Sequence, residues 1–186
     1  MGVGREGCAA NLVVCDISLK PLSTIDPKRS ATKGRMKLEE YLADQGIDAE
    51  LIALGQETTT AQMAAEALGV PIDVVVKTIL FQAKNGALVL VVAQGTGRID
   101  TKKLAQVTGI DGWRLAKPEV VLDATGYPAG GTPPIGLKQN IRMIVDTRAA
   151  ALPEAYAGGG RHDVMLRIKP ADIIRLNEAE IHDVLE

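Results

Sequence analysis

Between residues 36 and 186 the apolar positions fall into short blocks, some spaced as on a helix face and some alternating as on a strand. Leu38, Tyr41 and Leu42 keep an i, i+3, i+4 spacing, and Gly46 ends the helix they predict. Residues 50–54 read as a strand. Thr59-Thr60-Ala61-Gln62 fits a capping box and opens a helix with Ala61, Ala64, Ala65 and Leu68 on one face. Gly69 stops that helix, and Pro71 follows. Residues 74–81 and 87–93 are two long apolar strands, joined as a hairpin through Lys84-Asn85-Gly86.

Further on, Asp100 or Thr101 caps a helix that holds Leu104, Ala105 and Val107 and ends at Gly109. Residues 113–116 predict a short strand, and Pro118 suits the first position of a helix closed by Gly126. A dense Gly/Pro loop over 126–137 leads to a strand over 141–146. Gly158-Gly159-Gly160 predicts a tight turn before a strand over 164–168, and Pro170 opens a last helix with Ile173 and Ile174. His182 falls in a polar tail. Short helices and an antiparallel hairpin, without long crossovers, indicate an α+β domain rather than a doubly wound sheet.

Residues 1–35 are patterned differently. Leu12-Val13-Val14-Cys15 could form a short strand, but Lys20-Pro21 and Asp26-Pro27 interrupt it. We therefore expect an N-terminal extension over 1–35, whose order is open, and a folded domain over 36–186, with Met36 a candidate start. Cys8 and Cys15 both lie in the extension, too few for a disulfide framework and without a nearby His for zinc. A reduced, cytoplasmic setting follows. No apolar stretch is long enough to span a bilayer, so no membrane partner is expected. Net charge is −2, so a nucleic acid would be met by a local patch rather than by the whole surface. Aromatics make up only 3% of the chain, and nothing in the composition argues against a monomer.

The chemistry centres on Lys77, inside the apolar run Val74-Val75-Val76-Lys77-Thr78-Ile79-Leu80-Phe81. Strand alternation puts it on one face with Val75, Ile79 and Phe81. An unpaired buried ammonium costs several kcal/mol, on the order of the penalty for a buried ion. Either the strand is an edge whose lysine reaches solvent, or the lysine lines a pocket with an acid or an anionic ligand. The loop Gly130-Gly131-Thr132-Pro133-Pro134 either is a surface turn or presents backbone groups to a substrate in a fixed pose. Gly158-Gly159-Gly160-Arg161 either is a turn with a solvated arginine or holds a phosphate. There is no Walker P-loop, GxSxG elbow or HExxH, and neither His162 nor His182 pairs with a nucleophile, so no cofactor or metal is expected.

Five segments then occur in a telling order: Ala64-Ala65-Glu66-Ala67-Leu68-Gly69; Val76-Lys77-Thr78-Ile79-Leu80-Phe81; Val89-Leu90-Val91-Val92; Thr125-Gly126-Tyr127-Pro128-Ala129-Gly130-Gly131-Thr132-Pro133-Pro134-Ile135-Gly136-Leu137; and Ile144-Val145-Asp146. Together they resemble the YbaK/EbsC family, relatives of the editing domain inserted in bacterial prolyl-tRNA synthetases, over about residues 47–177. The resemblance implies a compact single domain with a strongly bent mixed β-sheet and short flanking helices. It implies hydrolysis of the ester joining a wrong amino acid, Cys or Ala, to the 3′ end of tRNA(Pro), with prolyl-tRNA synthetase as a possible partner. The family's strand lysine maps onto Lys77 and its Gly-Gly loop onto Gly130 and Gly131, with Gly131 placed beside the lysine as catalytic. Thr132, Pro133, Gly158, Gly159, Arg161 and Asp146 are then candidate substrate contacts. Asp146 is open to a structural role or to pairing with the lysine. The family has no conventional nucleophile.

Two positions depart from that pattern. Many members carry a His near residues 57–59, where this chain has Glu57-Thr58-Thr59, and a Ser where it has Gly158. Both bear on which amino acid is accepted. A different class remains open beside the enzyme: a non-catalytic module that binds a nucleotide or RNA end in the same pocket.

Overall fold

The computed structural model describes residues 38–58 and 60–186. The expected strand at residues 12–15, both cysteines, Met36 and the whole of the proposed extension lie outside the described residues. Six short helices and eight strands follow in the order α1 (Leu38–Gln45), β1 (Glu50–Ala53), α2 (Ala61–Leu68), β2 (Val76–Gln82), β3 (Leu88–Gln94), α3 (Thr101–Thr108), β4 (Arg114–Leu115), α4 (Pro118–Thr125), β5 (Met143–Asp146), α5 (Thr147–Ala150), β6 (Ala155–Gly158), β7 (Val164–Ile168), α6 (Pro170–Asn177) and β8 (Glu180–His182).

The helix boundaries follow from local chemistry. Thr60, not Thr59, caps α2: its hydroxyl accepts from the Met63 N–H. Met63 then stands at the third helical position, so the reciprocal half of the box is missing, and Gln62 bonds Glu66 along the helix instead. Asp100 caps α3, accepting from the N–H groups of Lys102 and Lys103. Pro118 and Pro170 occupy first turns, where a missing N–H costs nothing. Gly69, Gly109 and Gly126 end their helices in the left-handed conformation.

The β-structure of this α+β domain divides into two sheets. One is five-stranded and mixed, in the order β4-β2-β3-β5-β8; the other is three-stranded and antiparallel, in the order β1-β7-β6. A parallel bridge from Val75 to Tyr156 ties them together at the start of β2. The β2–β3 hairpin has the expected register, with Lys77 opposite Ala93 and Phe81 opposite Val89. β3 is buried on both faces, which explains its unbroken apolar run. Val76, Leu80, Leu90, Val92 and Val145 pack on one side with Ala157, Leu166 and Ile173. Phe81, Val89, Val91, Ala93 and Ile144 pack on the other with Leu104, Trp113, Val184 and Leu185. The polar tail expected around His182 is in fact the edge strand β8, parallel to β5.

Candidate active site

Lys77 projects from β2 on the Phe81 face and is half-buried. Its Nζ donates to two carbonyls, those of Gly95 (3.3 Å) and Gly97, in the turn that follows β3. That turn is itself pinned, because the Gly95 N–H donates to the Val75 carbonyl at 2.7 Å. Burial pushes the Lys77 ammonium below the usual lysine range. An ammonium carries three N–H donors, and two are spent on the turn. The third donates to no acceptor among the described residues.

The expected acid partner does something else. Asp146 is fully buried; one carboxylate oxygen accepts from the Arg148 N–H at 3.0 Å and the other from the Val184 N–H at 3.1 Å. It caps α5 and pins the segment after β8, so it neither pairs with Lys77 nor faces a substrate. The reason is local: an Asp at a strand end finds two orphan backbone donors within reach, and a buried carboxylate takes them.

The two glycine segments interlock. Gly160 N–H donates to the Gly131 carbonyl at 2.7 Å, and His162 Nε2 lies 2.9 Å from the Ala129 carbonyl. A Cβ on Gly131 would lie 3.0 Å from the Arg161 carbonyl carbon, and one on Gly158 only 2.8 Å from the Thr132 carbonyl oxygen. Only glycine permits this approach of two backbones. Thr58 fastens the second segment from the other side, its N–H and hydroxyl both donating to the His162 carbonyl. Within the first loop the Thr132 hydroxyl donates to the Pro128 carbonyl, and Tyr127 Oη donates to the Gly136 carbonyl across the loop's base. Gly131, Thr132 and Pro133 are all buried, while Gly130 is exposed with φ of 86°.

This interlocking corrects part of the expected chemistry. The N–H groups of Gly131, Gly159 and Gly160 are already donated to the carbonyls of Pro128, Val164 and Gly131. Arg161 closes a two-point pair with Asp163, at 2.9 and 2.6 Å, and the pair holds the Asp163 carboxyl below its usual range. Of the expected phosphate-holding groups, the Gly159 and Gly160 amides are therefore spent internally, while the exposed Arg161 uses only part of its donor fork on Asp163.

Lys77 and Gly158 both lie within two residues of the bridge that joins the two sheets. The Val75–Tyr156 bridge is parallel, so β6 runs beside the start of β2 and its register carries Gly158 alongside Lys77. Sequence reasoning missed Gly95 and Gly97, the acceptors of the lysine, although two glycines straight after a strand were a visible sign of close backbone approach. It also missed Thr58 as the anchor of the second segment. Thr78, next to Lys77 on the opposite face of β2, has a buried hydroxyl without a hydrogen-bond partner among the described residues. No group of three His, Cys, Asp or Glu side chains suited to a metal occurs among the described residues, and no described helix is long and apolar enough to cross a membrane.

Residues 56–176 match the aminoacyl-tRNA editing domain family. A proline–tRNA ligase of Nitratidesulfovibrio vulgaris is 35% identical over 108 residues, which are 58% of this chain and 19% of the ligase. EbsC of Enterococcus faecalis, named as a proposed Cys-tRNA(Pro)/Cys-tRNA(Cys) deacylase, is 24% identical over 132 residues, 71% of this chain and 80% of EbsC. A crystal structure of a proposed trans-editing enzyme for prolyl-tRNA synthetase superposes with a TM-score of 0.74 at 28% identity, over 84% of this chain and 99% of that one. With the matched segment holding Lys77, both interlocked glycine segments and most of both sheets, the chain belongs to the aminoacyl-tRNA editing domain family.

Proposed function

We propose that this protein is a trans-editing aminoacyl-tRNA deacylase, hydrolysing the ester of mischarged tRNA(Pro) that carries a small amino acid, cysteine or alanine. The observation that supports the reading is a half-buried ammonium gripped by two carbonyls, on a strand whose start is bridged to the strand that leads into the second of two interlocked glycine segments. An aminoacyl ester is already activated, so positioning and electrostatic stabilisation can supply the acceleration without a nucleophilic side chain. Lys77 offers its third N–H to the ester oxygen that gains negative charge, and the rigid Gly130–Pro133 loop sets the pose of the aminoacyl group and terminal adenosine. Water attacks the ester carbonyl carbon, the bond from that carbon to the ribose oxygen breaks, and the proton lost by the water goes to the leaving ribose oxygen, so that free amino acid and free tRNA are the products. The substrate places the protein in the cytoplasm, and prolyl-tRNA synthetase is a fitting partner.

The test is deacylation of a panel of charged tRNAs, with Cys-tRNA(Pro), Ala-tRNA(Pro) and Pro-tRNA(Pro) included, by wild type and Lys77→Ala. Hydrolysis of the small mischarged species by wild type, reduced by about 100-fold or more in Lys77→Ala, is expected from loss of one charge-stabilising donor. Saturable binding of the charged tRNA end with no turnover would favour the binding-module reading instead.

A further inference from the structure

The segment beyond the family match does something specific to Lys77. Residues 183–186 run along the turn after β3 and the start of α3, joined by an Ile99–Leu185 bridge. Asp100 N–H donates to the Val184 carbonyl at 2.8 Å, and Glu186 N–H donates to the Arg98 carbonyl at 3.0 Å. Lys103 Nζ reaches both the Leu185 carbonyl, at 2.6 Å, and Asp183, at 2.8 Å. Asp146 accepts the Val184 N–H from below. At the centre of this stitching Leu185, 1% exposed, sits directly on Gly97. A Cβ on Gly97 would lie 2.5 and 2.7 Å from the two Leu185 methyl carbons. The other end of the turn is equally tight, since a Cβ on Gly95 would lie 2.5 Å from the Ala61 Cβ of α2.

The two carbonyls in this pinched turn are the acceptors of Lys77. We propose that residues 183–186 form a strap that positions the catalytic lysine: Leu185, seated on Gly97, fixes the turn whose carbonyls aim Lys77 Nζ into the site. This rests on the reading of Lys77 as the cation of the site. Leu185 and Gly97 are positioning residues, acting through the turn and not on the substrate. The 56–176 match contains the lysine and Gly97 but not the strap, so this chain supplies the second half of the device from outside the matched segment. Gly97 does not have a positive φ, so an added methyl group strains the contact with Leu185 rather than the backbone.

The experiment is a double-mutant cycle of Gly97→Ala and Leu185→Ala, with solvent exchange of the Lys77 Nζ protons followed by NMR beside single-turnover deacylation of Cys-tRNA(Pro). Gly97→Ala alone is expected to speed Nζ exchange and to slow deacylation by about 10- to 100-fold, the scale of a misplacement near 1 Å. The double variant, with room made for the methyl, is expected to recover to within about 3-fold of Leu185→Ala alone, a coupling well beyond additivity. Lys103→Met, which releases the strap from its exposed side, is expected to speed Nζ exchange while leaving the central β3 amides protected, and serves if Gly97→Ala does not fold. Nζ exchange unchanged in Gly97→Ala and Lys103→Met, or additive effects in the cycle, would overturn the strap. Coupled changes in Nζ exchange without any change in deacylation would uphold the strap and remove Lys77 from the reaction.

Discussion

Lys77 can serve as an ammonium that donates or as an amine whose lone pair acts as a base, and pH separates these. Burial lowers its pKa, so the ammonium is lost at a lower pH than for an ordinary lysine near about 10.4. With a donating ammonium, the enzymatic rate, corrected for spontaneous ester hydrolysis, falls as pH rises through the lowered value. In Lys77→Arg the alkaline fall disappears, because a guanidinium keeps its charge. A rate that climbs through the same range would mean a base. The linkage sign is the same for folding. The folded state binds fewer protons at this group than the unfolded state between the lowered pKa and the ordinary one, so stability rises with pH across that window. On the far face of β2, Thr78→Val removes an unpartnered buried hydroxyl while keeping the branched shape. Thermal melts should show a gain of roughly 1 kcal/mol, and a loss of that size would mean that the hydroxyl has a partner.

Among the elements, α5 and β8 are short and depend on a shared residue. α5 spans four residues and β8 three, too few to persist alone. Asp146 joins them through one carboxylate, capping the helix with one oxygen and holding Val184 with the other. Asp146→Ala leaves two backbone donors without that acceptor, a cost of about 3 kcal/mol for hydrogen bonds to a charged group. Hydrogen exchange checks the mechanism: the Val184 and Arg148 amides should lose protection first, ahead of β3. Equal loss everywhere would mean that the carboxylate serves the whole core rather than this joint.

Across the molecule, a bridge from Val75 to Tyr156 joins the two sheets, and the candidate lysine lies two residues along β2 from it. The three-stranded sheet is tied on its outer face by Arg167, which reaches Glu154 at 2.8 Å and Glu50 and Asp48 at 3.3 Å each. Lys169 and then Arg167 hold the Asp48 carboxyl below its usual range, and Arg167 does the same for Glu154. Carboxylates with depressed pKa values contribute stability that is present above their unfolded range, about 4, and lost as pH falls through the folded values. Melting temperatures of Arg167→Met should therefore lie below wild type at neutral pH and low salt and converge with it in acid or high salt. A difference that persists in acid would assign the loss to packing of the arginine stem instead.

Much of this was legible from one dimension. The helix stops at Gly69, Gly109 and Gly126, the proline starts at Pro118 and Pro170, and the β2–β3 hairpin follow from conformational preferences that act within a few residues. Lys77 stood out because a charge in an apolar strand is costly wherever the strand lies. The sequence by itself therefore determined most of the elements, the α+β class and Lys77 as the candidate residue for the chemistry. Its partners were decided by the tertiary structure. β6 and β8 are short strands whose pairing lies with distant segments, and no local pattern reveals them. Asp146 reads as a match for the lysine in charge, yet backbone N–H groups from Arg148 and Val184 satisfy it first. The lysine's own acceptors are the carbonyls of Gly95 and Gly97, and the two glycines mark a close backbone approach without saying what approaches. Backbone groups are the same at every residue, so which of them face a charge is fixed only when the chain has folded.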